Sequence, residues 1–170
     1  MGERERALAD VVGARRGLDR ARAKGAVAQA RFEAAIVRAA SRGLSQRELA
    51  VGASVSQPYV SQLVASHSGR FVPKSRLGYV LAAHRRQVLD IVGRYGADDV
   101  KVFGSVARGD DGPSSDIDLL VDIPDDMGLF TLARMQLDVE QLLGETVDLV
   151  PSRMLKSGVR QSADLDGAPL

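Results

Sequence analysis

The 170-residue chain contains no cysteine and no tryptophan, and aromatic residues make up only 4% of it. Without cysteine, neither a disulfide framework nor a thiolate metal site can form. The two histidines, His67 and His84, are too far apart in sequence to indicate a zinc site. Scarce aromatic residues argue against a base-stacking surface for nucleic acid. No apolar run approaches the roughly 20 residues that span a bilayer, and the first residues lack an apolar signal core. We therefore expect a soluble, cytoplasmic protein with no membrane partner.

The net charge of +1 conceals a strong asymmetry along the chain. Residues 1–86 contain 16 lysines and arginines and 6 acidic residues, a net charge of +10. Residues 87–170 contain 7 lysines and arginines and 16 acidic residues, a net charge of −9. A basic half is suited to a polyanion such as DNA, and an acidic half is suited to a divalent cation or forms a solvated face. The asymmetry predicts two domains with different tasks.

The basic half has a helical pattern throughout. An Ala- and Arg-rich helix is expected to end at Gly43, and Ser45 with Glu48 three residues later forms the capping-box pattern of a second helix. Ser56 is suited to cap a third helix, with Pro58 in its first turn. These patterns predict an all-α domain over residues 1–70, followed by a linker over 71–76.

The acidic half alternates between helical and strand patterns. Apolar spacing predicts one long helix from Leu77 to Tyr95, ending at Gly96, and a second helix over Leu129–Leu143. Short apolar or alternating runs predict three strands, at 100–103, 117–123 and 147–150, and one more helix is expected after Met154. Residues 77–170 are therefore predicted to form a small α/β domain, which makes the chain an α+β protein of two domains.

Three carboxylates form the sharpest constellation in the acidic half. Gly104-Ser105 is followed after ten residues by Asp116-Ile117-Asp118. Because alternate strand residues share a face, Asp116 and Asp118 are expected to project together. Asp148 lies on the next predicted strand and joins them if the two strands are neighbours. Such a cup suits two Mg²⁺ ions and phosphoryl displacement. The alternative is a solvated acidic pair and an ordinary strand.

Gly104 and Ser105 supply a second element of the predicted site. A strand that enters a Gly-Ser turn and a short helix exposes backbone N–H groups, which favour an anion. Gly104 allows a phosphate to approach closely, the Ser105 hydroxyl is placed to hold it, and Arg108 adds positive charge. A Gly-Ser pair by itself is only a turn, so the prediction of a phosphate site depends on the ten-residue spacing to Asp116.

Residues 100–121 resemble the minimal nucleotidyltransferases of the DNA-polymerase-beta superfamily, and the resemblance covers about residues 77–165. It implies a small α/β fold with a mixed sheet and transfer of a nucleoside monophosphate from an NTP to a hydroxyl. It also implies phosphate binding by Gly104 and Ser105 and Mg²⁺ binding by Asp116, Asp118 and Asp148. Many members are MntA-like antitoxins encoded beside a HEPN-type toxin, and some resemble enzymes that adenylylate a toxin tyrosine.

Residues 44–63 resemble a helix-turn-helix of the Xre/Cro repressor type. The resemblance implies DNA contacts in which the second helix of the motif reads the major groove and basic residues hold phosphates. Ser54 stands where the motif usually has glycine, which costs roughly 1 kcal/mol if the turn is left-handed. The alternative is a module for dimerisation or partner binding, and Tyr59 fits packing equally well. The candidate DNA-contacting residues are Arg47, Gln57, Tyr59, Ser61 and Gln62.

Together these features predict a Mg²⁺-dependent nucleotidyltransferase that moves AMP from ATP to a hydroxyl of a partner toxin. The basic domain would bind operator DNA for autorepression, as a homodimer, because one such domain reads only a half-site. The rival hypothesis is a non-catalytic DNA-binding regulator that uses the nucleotidyltransferase fold for partner or nucleotide binding. A third possibility is an enzyme that acts on a small molecule.

Overall fold

The computed structural model describes residues 2–154 and 167–170 of the chain. Its N-terminal region is helical, as predicted, with α1 over Glu3–Ser41, α2 over Gln46–Ala53 and α3 over Gln57–Ser66. The helix expected after Met154 falls on residues outside the described part. No helix in the described ranges is both long enough and apolar enough to span a membrane.

Local capping signals determine where α2 and α3 begin. The Ser45 side chain accepts a hydrogen bond from the backbone of Glu48, and the Glu48 carboxylate accepts one from the backbone N–H of Ser45 at 2.8 Å. The Ser56 hydroxyl accepts the backbone N–H of Tyr59 at 3.3 Å. Both N-caps confirm the sequence prediction, because they depend on residues only three positions apart.

The turn between α2 and α3 is left-handed. Ser54 has φ 56° and ψ 41°, the conformation that glycine adopts without strain. Serine at position 54 therefore departs from the glycine that is usual in this motif, whereas its left-handed backbone is the conformation that such a glycine would adopt. A small apolar core holds the first three helices together, formed by Ile36, Leu49, Ala50, Val60 and Leu63.

The single long helix predicted over residues 77–95 is wrong, because it is divided at His84. The structure has α4 over Arg76–Ala83 and α5 over Arg85–Arg94. His84 has φ −109° and ψ 10°, and its Nδ1 lies 2.9 Å from the carbonyl oxygen of Val80. The apolar spacing continues on both sides of the break, so periodicity alone indicates one helix.

A four-stranded mixed sheet forms the centre of the second half. The strands are β1 (Asp98–Val102), β2 (Ile117–Asp122), β3 (Val147–Pro151) and β4 (Ala168–Pro169), in the order β3-β2-β1-β4. β2 pairs with β3 in parallel and with β1 antiparallel, and β4 pairs antiparallel with β1. The sheet confirms the predicted mixed α/β fold, although the two-residue strand β4 was not predicted.

Two further helices and a short turn complete this half. The five-residue α6 spans Gly104–Arg108, directly after β1, and α7 spans Leu129–Leu143, as predicted. A 3₁₀ turn over Ser152–Met154 follows β3. The core between helices and sheet contains fully buried residues from α4, α5, α7 and the strands, including Leu77, Val88, Leu119 and Met135.

Of the predicted linker over residues 71–76, residues 71–75 are irregular but closely packed, and Arg76 already begins α4. Phe71 is buried in the core of the second half, and its N–H donates to the carbonyl of Pro169 at 2.7 Å. A Cβ on Gly78 would lie only 3.2 Å from atoms of Phe71 and Pro73, so α4 approaches this segment closely. The connection between the two halves is therefore held against the second half.

Candidate active site

Asp118 and Asp148 occupy paired positions on the parallel strands β2 and β3. On either side of Asp118, Ile117 and Leu119 are fully buried, and Val147 and Leu149 flank Asp148 in the same way. Because side chains alternate along a strand, the two aspartates share the face opposite to these apolar residues. The predicted neighbourhood of the two strands is confirmed, and it places both carboxylates at the start of their strands.

Asp116 lies one residue before β2, with an exposed side chain. It is near enough to raise the pKa of Asp118 electrostatically, and Asp148 has the same effect. The structure therefore brings together the three aspartates that the sequence singled out. They form an acidic edge at the N-terminal ends of β2 and β3.

Asp118 has a strongly perturbed titration. Burial, followed by the charges of Asp116 and Asp148, raises its pKa from 3.8 to about 6, and the charge of Arg108 opposes this rise. Burial disfavours the charged form, and like charges disfavour it further. A half-buried carboxylate with this pKa is the kind of group that is found at functional sites.

Gly104 is required where the chain passes Asp118. Its φ is +68°, and a Cβ built on it would lie 3.1 Å from Cγ of Asp118 and closer still to Oδ2. The N–H of Phe103 donates to the carbonyl of Asp118 at 3.2 Å, which fixes the approach. Any larger residue at position 104 would meet strain and a collision at once. The structure therefore places a carboxylate of the site against Gly104, while the close approach of a phosphate there stays a prediction.

Ser105 and Arg108 lie on α6 beside this contact. The Ser105 carbonyl accepts N–H groups of Gly109 at 2.8 Å and Asp110 at 3.0 Å, which closes the short helix. Nε of Arg108 lies 3.2 Å from Oδ2 of Asp110. Gly104, Ser105 and Arg108 thus stand on one five-residue element next to Asp118, where a phosphate group was expected.

The acidic edge has the donor chemistry that suits Mg²⁺, which prefers carboxylate oxygens. The carboxylates of Asp116 and Asp148 repel that of Asp118, and a bound cation would relieve this repulsion. As placed, no three histidine, aspartate or glutamate side chains within residues 2–154 and 167–170 converge closely enough to hold a metal ion. The residues fit the ion by chemistry, and Mg²⁺ remains a proposal.

Other acidic residues near the site have structural roles. Oδ2 of Asp111 accepts the backbone N–H of Leu77 at 3.2 Å, so Asp111 caps the start of α4 across 34 positions of sequence. No local sequence pattern signals this contact. Asp122 is exposed at the end of β2 and accepts a hydrogen bond from the hydroxyl of Ser152 at 2.9 Å.

The candidate DNA-contacting residues divide into two groups. Arg47, Gln57, Ser61 and Gln62 are exposed on α2 and α3. Tyr59 instead faces α1, because its hydroxyl lies 3.2 Å from both Oε1 of Glu33 and Nε2 of Gln29. Of the two interpretations of Tyr59, DNA contact and packing, the structure therefore favours packing, since the side chain lies between α1 and α3.

Comparisons with known proteins concern the second half. A family model described as a nucleotidyltransferase domain matches residues 85–170. The protein adenylyltransferase MntA of Thermococcus cleftensis is 36% identical over 83 residues, which cover 49% of this chain and 81% of that protein. A candidate protein adenylyltransferase of Methanocaldococcus jannaschii is 33% identical, over 39% and 71% of the two chains. A solved structure assigned as a minimal nucleotidyltransferase is 42% identical, with a TM-score of 0.51, over 55% of this chain and 95% of the other.

Proposed function

The chain belongs to the nucleotidyltransferase domain family, and we propose that this enzyme transfers AMP from ATP to a hydroxyl group of a partner protein. The observation that carries the proposal is the placement of Asp118 beside Asp148, with Asp116 adjacent and Gly104 against the carboxylate of Asp118. The choice of adenine and of a protein acceptor follows the Thermococcus relative, which is named a protein adenylyltransferase.

The reaction breaks one phosphoanhydride bond of ATP and forms one phosphate ester bond to the acceptor. The acceptor oxygen loses its proton and bonds to the α-phosphorus, and the bond from that phosphorus to the bridging oxygen of the β-phosphate breaks. Pyrophosphate leaves with the electron pair. Positioning and charge stabilisation supply most of the catalysis in such transfers, because the protein forms no covalent bond itself.

Each site residue has a proposed part in this exchange. Backbone N–H groups at Gly104 and Ser105 hold the departing phosphates, and the Ser105 hydroxyl orients them. Arg108 stabilises their negative charge. Asp148, exposed at the start of β3, faces the acceptor and takes up its proton. Because its pKa is raised to about 6, the Asp118 carboxylate is ionised at neutral pH at a cost in free energy, and a nearby positive charge would reduce that cost.

Asp116, Asp118 and Asp148 are the residues that would hold Mg²⁺, and we expect two ions. The ions would neutralise the triphosphate and favour the deprotonated acceptor. A direct test is calorimetry with Mg²⁺ alone, comparing the native chain with Asp116→Asn. Equal heats in both proteins would show that the acidic edge is not the ion's site.

The expected acceptor is a HEPN-like toxin encoded beside this protein, with modification on a hydroxyl. The assay incubates the chain with α-labelled ATP, GTP, CTP or UTP, Mg²⁺ and the neighbouring gene product. We expect label on the partner from ATP, lost with Asp148→Asn and kept with Asp126→Asn, an exposed loop aspartate. A stable complex without label from any nucleotide would favour the non-catalytic regulator.

A second function, DNA binding, is favoured by the exposed polar surface of α2 and α3. Gln46, Gln57 and Ser61 line one shallow recess there, and the residues before position 87 carry a net charge of +10. Glutamine pairs bidentately with adenine, and arginine holds phosphates. In a shift assay on the protein's own promoter, Gln57→Ala should relax sequence preference, whereas Arg47→Ala should weaken all sequences and reduce the salt dependence. Equal binding of promoter and unrelated DNA by the native chain would contradict operator recognition.

A further inference from the structure

The first part of α1 extends beyond the packed body of the protein. Every residue from Glu3 to Gly25 is exposed, whereas the buried residues of this helix, Ala30, Ala34 and Ile36, all lie in its second half. At about 1.5 Å per residue, residues 3–25 extend roughly 35 Å. We call residues 3–25 the N-terminal arm. At its C-terminal end, Asp19 and Arg22 line a recess together with His84.

An apolar stripe follows one face of the N-terminal arm. Leu8 and Val11 are each 65% exposed, and Leu18 is 46% exposed. Their spacing of three and seven residues is that of the a and d positions of a coiled coil. Arg15 occupies the remaining seam position, and its Nε is paired with Asp19 at 3.1 Å. Its methylene stem can therefore line the seam while its charge is compensated.

No contact among the described residues explains the glycines of the N-terminal arm. A Cβ placed on Gly13, Gly17 or Gly25 would meet no atom within 4 Å. Glycine is a poor helix former, so these residues weaken an isolated helix. Most helical stability in proteins comes from packing of an apolar face, and the face of the arm has no such packing among residues 2–154 and 167–170. The arm therefore needs a partner that covers its stripe.

The charges of the N-terminal arm favour antiparallel pairing with the arm of a second copy. Residues 3–10 carry three acidic and two basic side chains, a net charge of −1. Residues 15–24 carry five basic side chains and one acidic, a net charge of +4. Parallel pairing would place the +4 segments together, whereas antiparallel pairing places each beside a −1 segment. The antiparallel orientation is thus favoured by charge as well as by the short apolar seam.

We propose that the N-terminal arm is a dimerisation element, which pairs antiparallel with the arm of a second copy. In this register Leu8 packs against the partner's Leu18, and Val11 packs against the stem of the partner's Arg15. The two-fold axis passes near Gly13. The contact is isologous and closed, so it yields a dimer and no larger assembly.

This arrangement places the two bodies at opposite ends of the paired arms. Each body keeps its own acidic edge, since the pairing uses no residue of that edge. Two copies of α3 are joined in one particle, as recognition of a two-part DNA site requires. The dimer is nevertheless independent of DNA binding and of nucleotidyl transfer, so either can fail without affecting it.

The absence of native cysteine makes orientation directly testable. Leu8→Cys and Leu18→Cys proteins are prepared separately, mixed, and oxidised. We expect a covalent dimer of about 36 kDa, twice 18.1 kDa, from the mixture and not from either protein alone. In the antiparallel register two copies of position 8 lie about 15 Å apart, which is beyond the reach of a disulfide. Covalent dimers from Leu8→Cys alone would show parallel pairing and overturn the proposal.

Solution mass tests association itself. The native chain should reach the dimer mass with rising concentration in sedimentation equilibrium. The double variant Leu8→Glu/Leu18→Glu should stay at 18.1 kDa. Val51→Glu, at an exposed apolar residue on α2, is the matched control and should still dimerise. Circular dichroism checks that each variant is folded. A native chain that stays monomeric at its highest soluble concentration refutes the proposal. The proposal is also refuted if Leu8→Glu/Leu18→Glu leaves the solution mass unchanged and abolishes only co-sedimentation with phosphatidylserine vesicles.

Discussion

Replacing Asp118 with Asn should make the protein more stable at neutral pH while it removes the proposed transferase activity. The native carboxylate is half-buried beside two other aspartates, and its pKa rises from 3.8 to about 6. The unfolded chain has no such environment. Asn has nearly the same shape and carries no charge, so the substitution removes the repulsion without creating a cavity.

The sign of the effect follows from proton binding. Between about pH 4 and pH 6 the folded protein binds more protons at Asp118 than the unfolded chain does, so its stability falls as the pH rises. Above pH 6 the full cost is present, and below pH 4 it is absent. The stabilisation by Asp118→Asn should therefore be large at pH 7.5 and vanish near pH 3.8.

The magnitude has an upper limit of about 3 kcal/mol, the free energy that corresponds to the rise from 3.8 to about 6. Solvent screening at a partly exposed group reduces this to about 1–2 kcal/mol. For a chain of this size the expected gain in melting temperature is about 3–6 °C.

Thermal unfolding in EDTA at pH 7.5 and pH 4 measures the effect, and Asp126→Asn is the control for loss of an exposed carboxylate. Addition of Mg²⁺ should then raise the melting temperature of the native chain more than that of the variant, since only the native site keeps all three carboxylates. If Asp118→Asn melts lower than the native chain at pH 7.5, or if its advantage persists unchanged at pH 4, the electrostatic account of the site is refuted.

Three further substitutions test the local geometry. Gly104→Ala should lower the free energy of unfolding by about 2–3 kcal/mol and weaken ATP binding, because the backbone is left-handed and the new methyl meets Asp118. An unchanged midpoint of urea unfolding and an unchanged affinity for ATP in calorimetry would contradict the close approach. Ser54→Gly should stabilise the helical region by about 1 kcal/mol in urea unfolding, since φ is 56°. Loss of stability there would show that the turn relaxes. Asp111→Ala should lower stability by about 1 kcal/mol through loss of the cap on Leu77, and a neutral result would place that carboxylate in solvent.

Much of the local architecture could be predicted because its causes lie within a few residues. Ser45 and Glu48 bond to each other, Ser56 caps α3 unaided, and α7 ends at the glycine that follows Leu143. The alternation around Asp118 predicted its face for the same reason. Such features are readable because the interacting groups are neighbours in sequence.

Features that depend on distant parts of the chain could not be predicted. The cap that Asp111 provides for α4 joins residues 34 positions apart, and Tyr59 is turned inward by Glu33 on another helix. The break at His84 interrupts an apolar period that continues on both sides. In each case the local pattern permits two structures, and a tertiary contact decides between them.

The acidic edge is a place where this sequence gives up stability. Burial and two neighbouring charges oppose ionisation of Asp118, and Gly104 must adopt a left-handed backbone to pass it. A solvated asparagine, or a lysine near the strand ends, would avoid the repulsion, whereas the observed residues concentrate it within two strand starts and one short helix. A site for a cation and a nucleotide requires this arrangement, in which charge repulsion that lowers stability lies beside backbone groups suited to phosphate. The same reasoning does not extend to Ser54, whose strain lies in the turn between α2 and α3 and whose replacement by glycine should leave transferase activity unchanged.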